Sequence, residues 1–198
     1  AQTECPQPPA ARTFPVHHHP TSSAPDPQLR LETLLVRSGT GTDPATGAIT
    51  TPIHLSTAYG HPGLGESTGY DYTRTASPTR DVLQDALARL EGGTAAFALS
   101  SGMAALELVT RTLAPHGSRI VALRDLYGGS FRFLEVLAEE GAADVDFVLG
   151  LEGLRGALAD PADLVIIETP TNPMMEEISI PEAAELAHAA GAKPGVDN

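Results

Sequence analysis

The sequence predicts an α/β fold, a mostly parallel sheet sandwiched by helices. From Pro78 onward, short apolar runs alternate with amphipathic stretches at the spacing of strand–helix units. One of those runs, Leu164-Val165-Ile166-Ile167, is continuous and mostly β-branched, as expected of a strand buried on both faces. A length of 198 residues, 41% of them hydrophobic, allows one sizeable domain with an extended arm.

Each element follows from its local pattern. Residues 1–28 are low-complexity, rich in Pro, Gln, Ser and Ala, and read as a disordered extension. Leu31, Leu34 and Leu35 form an apolar stripe that predicts a short helix over 29–37, opening an arm over 29–68. Residues 38–68 are Gly-, Thr- and Pro-rich without a sustained period and need a partner surface to be ordered. Val82, Leu83, Ala86, Leu87 and Leu90 share one face of a helix over 79–91, closed by Gly92-Gly93. A strand is expected over 95–99, then a helix over 102–113, a strand over 120–123 and a helix over 130–140. A strand over 145–149, a helix over 151–159, the strand at 164–167 and a helix over 181–190 follow. A last short strand leads to Asp197.

Charge and composition exclude several functions. Twelve basic against 25 acidic residues leave a net charge of −13, which repels a nucleic-acid backbone. No apolar run reaches the length of a membrane span, and residues 1–28 lack the apolar core of a signal peptide. The single cysteine, Cys5, allows no internal disulfide, and a cytoplasmic enzyme is the default expectation. His17-His18-His19 lacks partner ligands at metal-site spacing, so no metal site is expected.

Ligands of open α/β sheets gather at the carboxyl ends of the strands, and the residues there carry the chemistry. Ser101-Gly102-Met103 opens a helix, where free N–H groups and the positive dipole end favour an anion; a simple turn is the plain alternative. Tyr127, followed by two glycines, offers either a half-buried ring before a turn or an aromatic face for a flat cofactor. Asp197 ends a strand with a carboxylate that a protonated heterocyclic nitrogen would pair, or that caps or faces solvent. Tyr72 and Arg74, two apart in a non-helical segment, share a side, and phenol with guanidinium suits a phosphate.

Taken together and in order, these segments resemble one family. Gly69-Tyr70-Asp71-Tyr72-Thr73-Arg74-Thr75-Ala76-Ser77-Pro78-Thr79-Arg80 is similar to a Y-[ST]-R-x-x-N-P-T-R signature, with Ser77 where Asn is usual. Leu90-Glu91-Gly92-Gly93, Ser100-Ser101-Gly102-Met103-Ala104-Ala105 and Asp125-Leu126-Tyr127-Gly128-Gly129-Ser130 follow, then Glu168-Thr169-Pro170-Thr171-Asn172-Pro173 and Val196-Asp197-Asn198. Residues 31–198 thereby resemble the cystathionine synthase/lyase (trans-sulfuration) family of pyridoxal-phosphate (PLP) enzymes. The resemblance implies the PLP-dependent transferase fold type I, with 69–198 the N-terminal portion of its large domain, truncated before that domain ends.

The same resemblance implies site roles. Ser101, Gly102 and Met103 hold the PLP phosphate, Tyr127 stacks on the pyridine ring, and Asp197 pairs with its nitrogen. Asn172 hydrogen-bonds the ring oxygen, with Glu168 behind it. Tyr72 and Arg74 reach into a neighbouring subunit's site, which implies a homodimer or homotetramer with shared sites. The stretch His61-Pro62-Gly63-Leu64-Gly65-Glu66-Ser67-Thr68-Gly69-Tyr70 is most similar to bacterial γ-synthases, which replace the acyloxy group of an activated homoserine ester by cysteine or sulfide. β- or γ-lyase activity is the alternative, as is a non-catalytic subunit docking on an intact homologue. The family's Schiff-base lysine is expected beyond Asn198. Lys193, the only lysine, starts a strand whose four residues to Asp197 span about 13 Å and set it at the opposite end of the sheet.

Overall fold

The computed structural model describes residues 29–198 apart from Thr42 and Pro44. The expected disordered extension over 1–28, with Cys5 and the His triplet, lies outside the described residues. The chain divides into two compact units, one up to Ala98 and one from Leu99.

Among the described residues, the first unit holds two helices. Helix α1 spans Leu31–Arg37 and α2 spans Pro78–Leu90, with Pro78 in its first turn where a missing N–H costs nothing. Between them the chain folds back at Gly47, whose φ of 75° suits a glycine, so that the Gly41 N–H donates to Ile49 O at 3.0 Å. Isolated antiparallel bridges pair Thr40 with Thr50 and Ala58 with Tyr72. The segment after Tyr70 is tied to α2 by side chains. Arg80 donates to the carbonyls of Thr73 and Thr75, and the Tyr70 hydroxyl donates to Asp81 Oδ2 at 3.0 Å. Burial and this bond to a carboxylate push the Tyr70 phenol up to about 12.

The second unit is a four-stranded parallel sheet. Helix α3 (Gly102–Leu113) leads into β1 (Ser118–Leu123), followed by α4 (Gly128–Glu139), β2 (Ala143–Val148) and α5 (Gly150–Ala157). Strand β3 (Leu164–Glu168), α6 (Ile180–Ala189) and β4 (Lys193–Asp197) complete it. The strand order is β2-β1-β3-β4, with every pair parallel. All five residues of β3 are buried, matching its continuous apolar run. Ile120, Leu123, Leu134, Leu154, Leu164 and Ile167 are among the fully buried side chains of the core, each worth about 2 kcal/mol of burial. Helix α3 packs with α4 and α5 with α6. Right-handed crossovers running left from β1 to β2, and right from β2 to β3 and β3 to β4, put these pairs on opposite faces.

One expected element is absent. Residues 95–99 form no strand, and Phe97 and Leu99 are exposed. A strand needs a neighbour's N–H and C=O groups, and among the described residues none is supplied; the Ala98 N–H donates instead to Gln84 Oε1 at 3.0 Å. Apolar content signalled the run, but only a partner strand makes it a ladder. The other elements form within a few residues of their expected bounds.

Candidate active site

The strand order fixes where the second unit presents its chemistry. The chain leaves β1 toward β2 and leaves β3 in the other direction, toward β4, so a crevice opens between the carboxyl ends of β1 and β3. Asp125 and Tyr127 follow β1, Glu168 ends β3, and Asp197 ends β4 in register with Glu168.

Two hydrogen bonds close this crevice from side to side. The Tyr127 N–H donates to Glu168 Oε2 at 2.6 Å, and the Met174 N–H donates to Asp125 Oδ2 at 3.3 Å. The loop after β3 is held from below. The buried hydroxyls of Thr169 and Thr171 accept from the N–H groups of Ile178 and Glu176, at 2.9 and 3.0 Å. That fixes the loop's base and leaves Asn172 exposed at its tip. The Thr169 N–H donates to the Asp197 carbonyl at 3.1 Å, extending the β3–β4 ladder to the site.

Tyr127 precedes α4 and its side chain is half exposed, at 50%. Its ring lies over the bare Cα of Gly129, where an added Cβ would collide with Tyr127 Cε1 and come within 3.1 Å of Met103 Sδ. At the start of α3, Ser101 Oγ accepts from the Ala104 N–H at 3.1 Å. The N–H groups of Gly102 and Met103 precede any intrahelical acceptor and point out of the helix end. A Cβ on Gly102 would meet nothing within 4 Å, so the approach to these donors is open.

Burial raises the Glu168 carboxyl above the usual carboxylate range, and the charges of Asp197 and Asp125 add to the effect against the Tyr127 N–H bond. Below both its folded and unfolded values, Glu168 is neutral in either state and its burial carries no charge penalty. As the pH rises the unfolded chain ionises first, and stability is lost as the pH passes through the raised folded value. Glu168→Gln keeps an oxygen acceptor for Tyr127 without the charge. It is expected to melt higher than the parent at neutral pH and to lose that advantage toward about pH 4, below which both carry a neutral group; thermal midpoints across pH measure it.

Of the sequence-predicted site residues, Ser101, Gly102, Met103, Tyr127, Glu168, Asn172 and Asp197 belong to the second unit. There the Tyr127–Glu168 bond, the Glu168–Asp197 register and the approach of Met103 and the Tyr127 ring to Gly129 link Met103, Tyr127, Glu168 and Asp197, while Asn172 stands at the exposed tip of its loop. Tyr72 and Arg74 belong to the first unit, where the Arg74 guanidinium carbon lies 4.5 Å from the Tyr72 ring centroid. Sequence reasoning assigned no role to Asp125 or Gly129. The signal for Gly129 was present in the Tyr-Gly-Gly run, but nothing local tells which way the tyrosine ring turns.

A family model, described as Cys/Met metabolism PLP-dependent enzyme, matches residues 32–198. The chain belongs to this family. The cystathionine gamma-synthase of Escherichia coli K12 is 44% identical over 168 residues, covering 84% of this chain and 44% of that protein. The cystathionine gamma-synthase/O-acetylhomoserine (thiol)-lyase of Bacillus subtilis is 40% identical over 170 residues, covering 85% and 45%. The crystal structure of cystathionine gamma synthase from Xanthomonas oryzae pv. oryzae, in complex with aminoacrylate and cysteine, superposes with a TM-score of 0.81 at 40% identity. It covers 86% of this chain and 44% of that one. A cystathionine beta-lyase of Lactococcus lactis is 38% identical over 170 residues. The chain thus spans less than half the length of these family members.

Lys193 stands at the other end of the sheet from the crevice, paired in register with Leu164, while Asp197 pairs with Glu168. It is exposed. Incubation with PLP followed by borohydride reduction is therefore expected to label Lys193 no more than a surface amine; peptide mapping after reduction reads it.

Proposed function

We propose that the full-length protein is a PLP-dependent enzyme of trans-sulfuration that performs γ-replacement, in which the sulfur of cysteine or sulfide bonds to the γ-carbon of an activated homoserine ester and the acyloxy group leaves as its carboxylate. The observation that carries this reading is the 40–44% identity to γ-synthases over 168–174 residues, 84–86% of this chain.

The residues present fit the cofactor. Open N–H donors at the start of α3 suit a phosphate, the half-exposed Tyr127 ring suits a flat heterocycle, and the carboxylate ending β4 suits a protonated ring nitrogen. In this reading Gly102 and Met103 bind the phosphate, with Ser101 capping the helix that aims them. Tyr127 orients the ring, Asn172 donates to its oxygen, and Asp197 holds a proton on its nitrogen. When bound, the cofactor supplies an electron-withdrawing ring conjugated to the substrate amine. Tyr72 and Arg74 complete the phosphate site of a neighbouring subunit, in a homodimer or homotetramer of a cytoplasmic enzyme. The arm supports assembly, since Ile53, Leu55 and Leu64 stand exposed on it, Leu55 at 90%.

The test is made on the full-length enzyme with PLP. O-acetyl- or O-succinylhomoserine plus cysteine is expected to give cystathionine faster than cystathionine is cleaved. Cleavage to homocysteine or cysteine as the dominant reaction assigns a lyase instead. Shared sites predict that Arg74→Ala mixed with a variant lacking the cofactor-bearing lysine regains activity after subunit exchange. Exchange without recovery would remove Tyr72 and Arg74 from the partner's site.

A further inference from the structure

We propose that Glu168 and Gly129 are positioning residues that fix the Tyr127 ring as an aromatic platform at the crevice between β1 and β3. This rests on the reading of Tyr127 as the residue that stacks on the cofactor, and adds what sets the ring's position. A tyrosine at the start of a helix, half exposed, has several rotamers open to it, and one that stacks only after reorienting gives up binding energy to ordering. Two features here restrict it from opposite sides.

The first acts on the main chain. Glu168 ends the fully buried central strand, and its Oε2 receives the Tyr127 N–H at 2.6 Å from across the crevice. That N–H lies at the N-cap of α4, where the helix has no acceptor of its own for it. A carboxylate is a strong acceptor for a backbone N–H, so the clasp anchors the Tyr127 Cα to the sheet. The second acts on the ring. It occupies the space a side chain at position 129 would need, with the Met103 thioether close to the same point. Gly129 has no positive φ to require a glycine, so clearance for the ring is what the missing Cβ provides. Met103 belongs to the helix end whose N–H groups are open, so the ring's seat and the anion site share a wall.

The experiment uses the full-length apoenzyme titrated with PLP. It reads the dissociation constant together with the visible circular dichroism of the bound cofactor, which reports ring geometry independently of turnover. Tyr127→Ala is expected to weaken PLP about tenfold, the scale of an aromatic stacking contact. Gly129→Ala is expected to match it, with reduced dichroism, and the double variant to be no weaker than Tyr127→Ala alone, because both changes remove one interaction. Glu168→Ala is expected to weaken PLP similarly, and Glu168→Gln, which retains an acceptor oxygen, to bind within about threefold of the parent. The glutamate pair carries the test if Gly129→Ala does not fold. Either Gly129→Ala or Glu168→Ala binding with parental affinity and dichroism, while Tyr127→Ala is weakened, overturns the role of that residue. Parental affinity in Tyr127→Ala itself overturns the platform reading and the positioning roles with it.

Discussion

Asp197→Asn in the full-length enzyme is expected to lower kcat by about 100-fold or more, equivalent to roughly 2.7 kcal/mol of transition-state stabilisation, with KM little changed and PLP still bound. The carboxylate ends β4, one strand out from the crevice, and its main chain is held there by the ladder and by the Thr169 N–H. Asparagine fits the same space and leaves that backbone untouched, so the substitution removes charge and not position. In the role proposed for Asp197, what is lost is the ability to hold a proton on a heterocyclic nitrogen, because a neutral amide does not compensate the positive charge. The loss falls on the transition state, where electron demand at the ring is greatest, and hardly on ground-state contacts made by the phosphate donors at α3. Wild-type kcat in Asp197→Asn, with PLP content verified by absorbance, would take Asp197 out of the mechanism. A loss of PLP instead would make it an anchoring residue.

The place of Asp197 at the end of β4 was legible because strand-end position is itself a sequence signal. A β-branched run or a short apolar run predicts a strand, the strand's end predicts the sheet edge, and the chemistry-bearing residue is the next polar one. The same logic found Glu168 and the start of α3, and the family's motifs supplied their order. Three features were beyond it. The run at 95–99 has strand composition but no neighbour, and pairing is a property of two segments that neither one encodes alone. The Tyr127 ring's seat depends on Glu168 and Met103, 41 residues after and 24 before, brought together only by the strand order. Arg119 lies outside the strand expected over 120–123, and the groups around it, on Asp146, Ala157, Asp160, Pro161 and Asp163, come from 27 to 44 residues away, so no local pattern marks it.

Those surroundings make Arg119→Ala the most destabilising surface-proximal change expected in the second unit, about 3 kcal/mol in the full-length protein. Its guanidinium, about one-fifth exposed, lies at the amino end of the sheet and donates to Asp146 Oδ2 from Nε at 3.0 Å and from Nη2 at 2.5 Å. The same group donates to the carbonyls of Ala157, Asp160 and Pro161 at 3.0–3.1 Å, so β1, β2 and the turn from α5 into β3 meet on one side chain. Its main chain continues the tie, with the Arg119 N–H on Asp163 Oδ2 at 2.8 Å and the Asp163 N–H on the Arg119 carbonyl at 2.9 Å. Truncation leaves those backbone bonds but deprives three carbonyls and one carboxylate of their donor. Asp146 is nearly half exposed, so solvent replaces much of what it loses, and Asp146→Asn alone is expected to cost about 1 kcal/mol or less. Lysine has a single charged centre and cannot reach all four acceptors, so Arg119→Lys is expected to recover only part of the loss. Urea midpoints of the two single variants and the double variant separate the ion pair from the carbonyl bonds. An Asp146→Asn as costly as Arg119→Ala would show that the charge pair, and not the fan of carbonyls, is what Arg119 contributes.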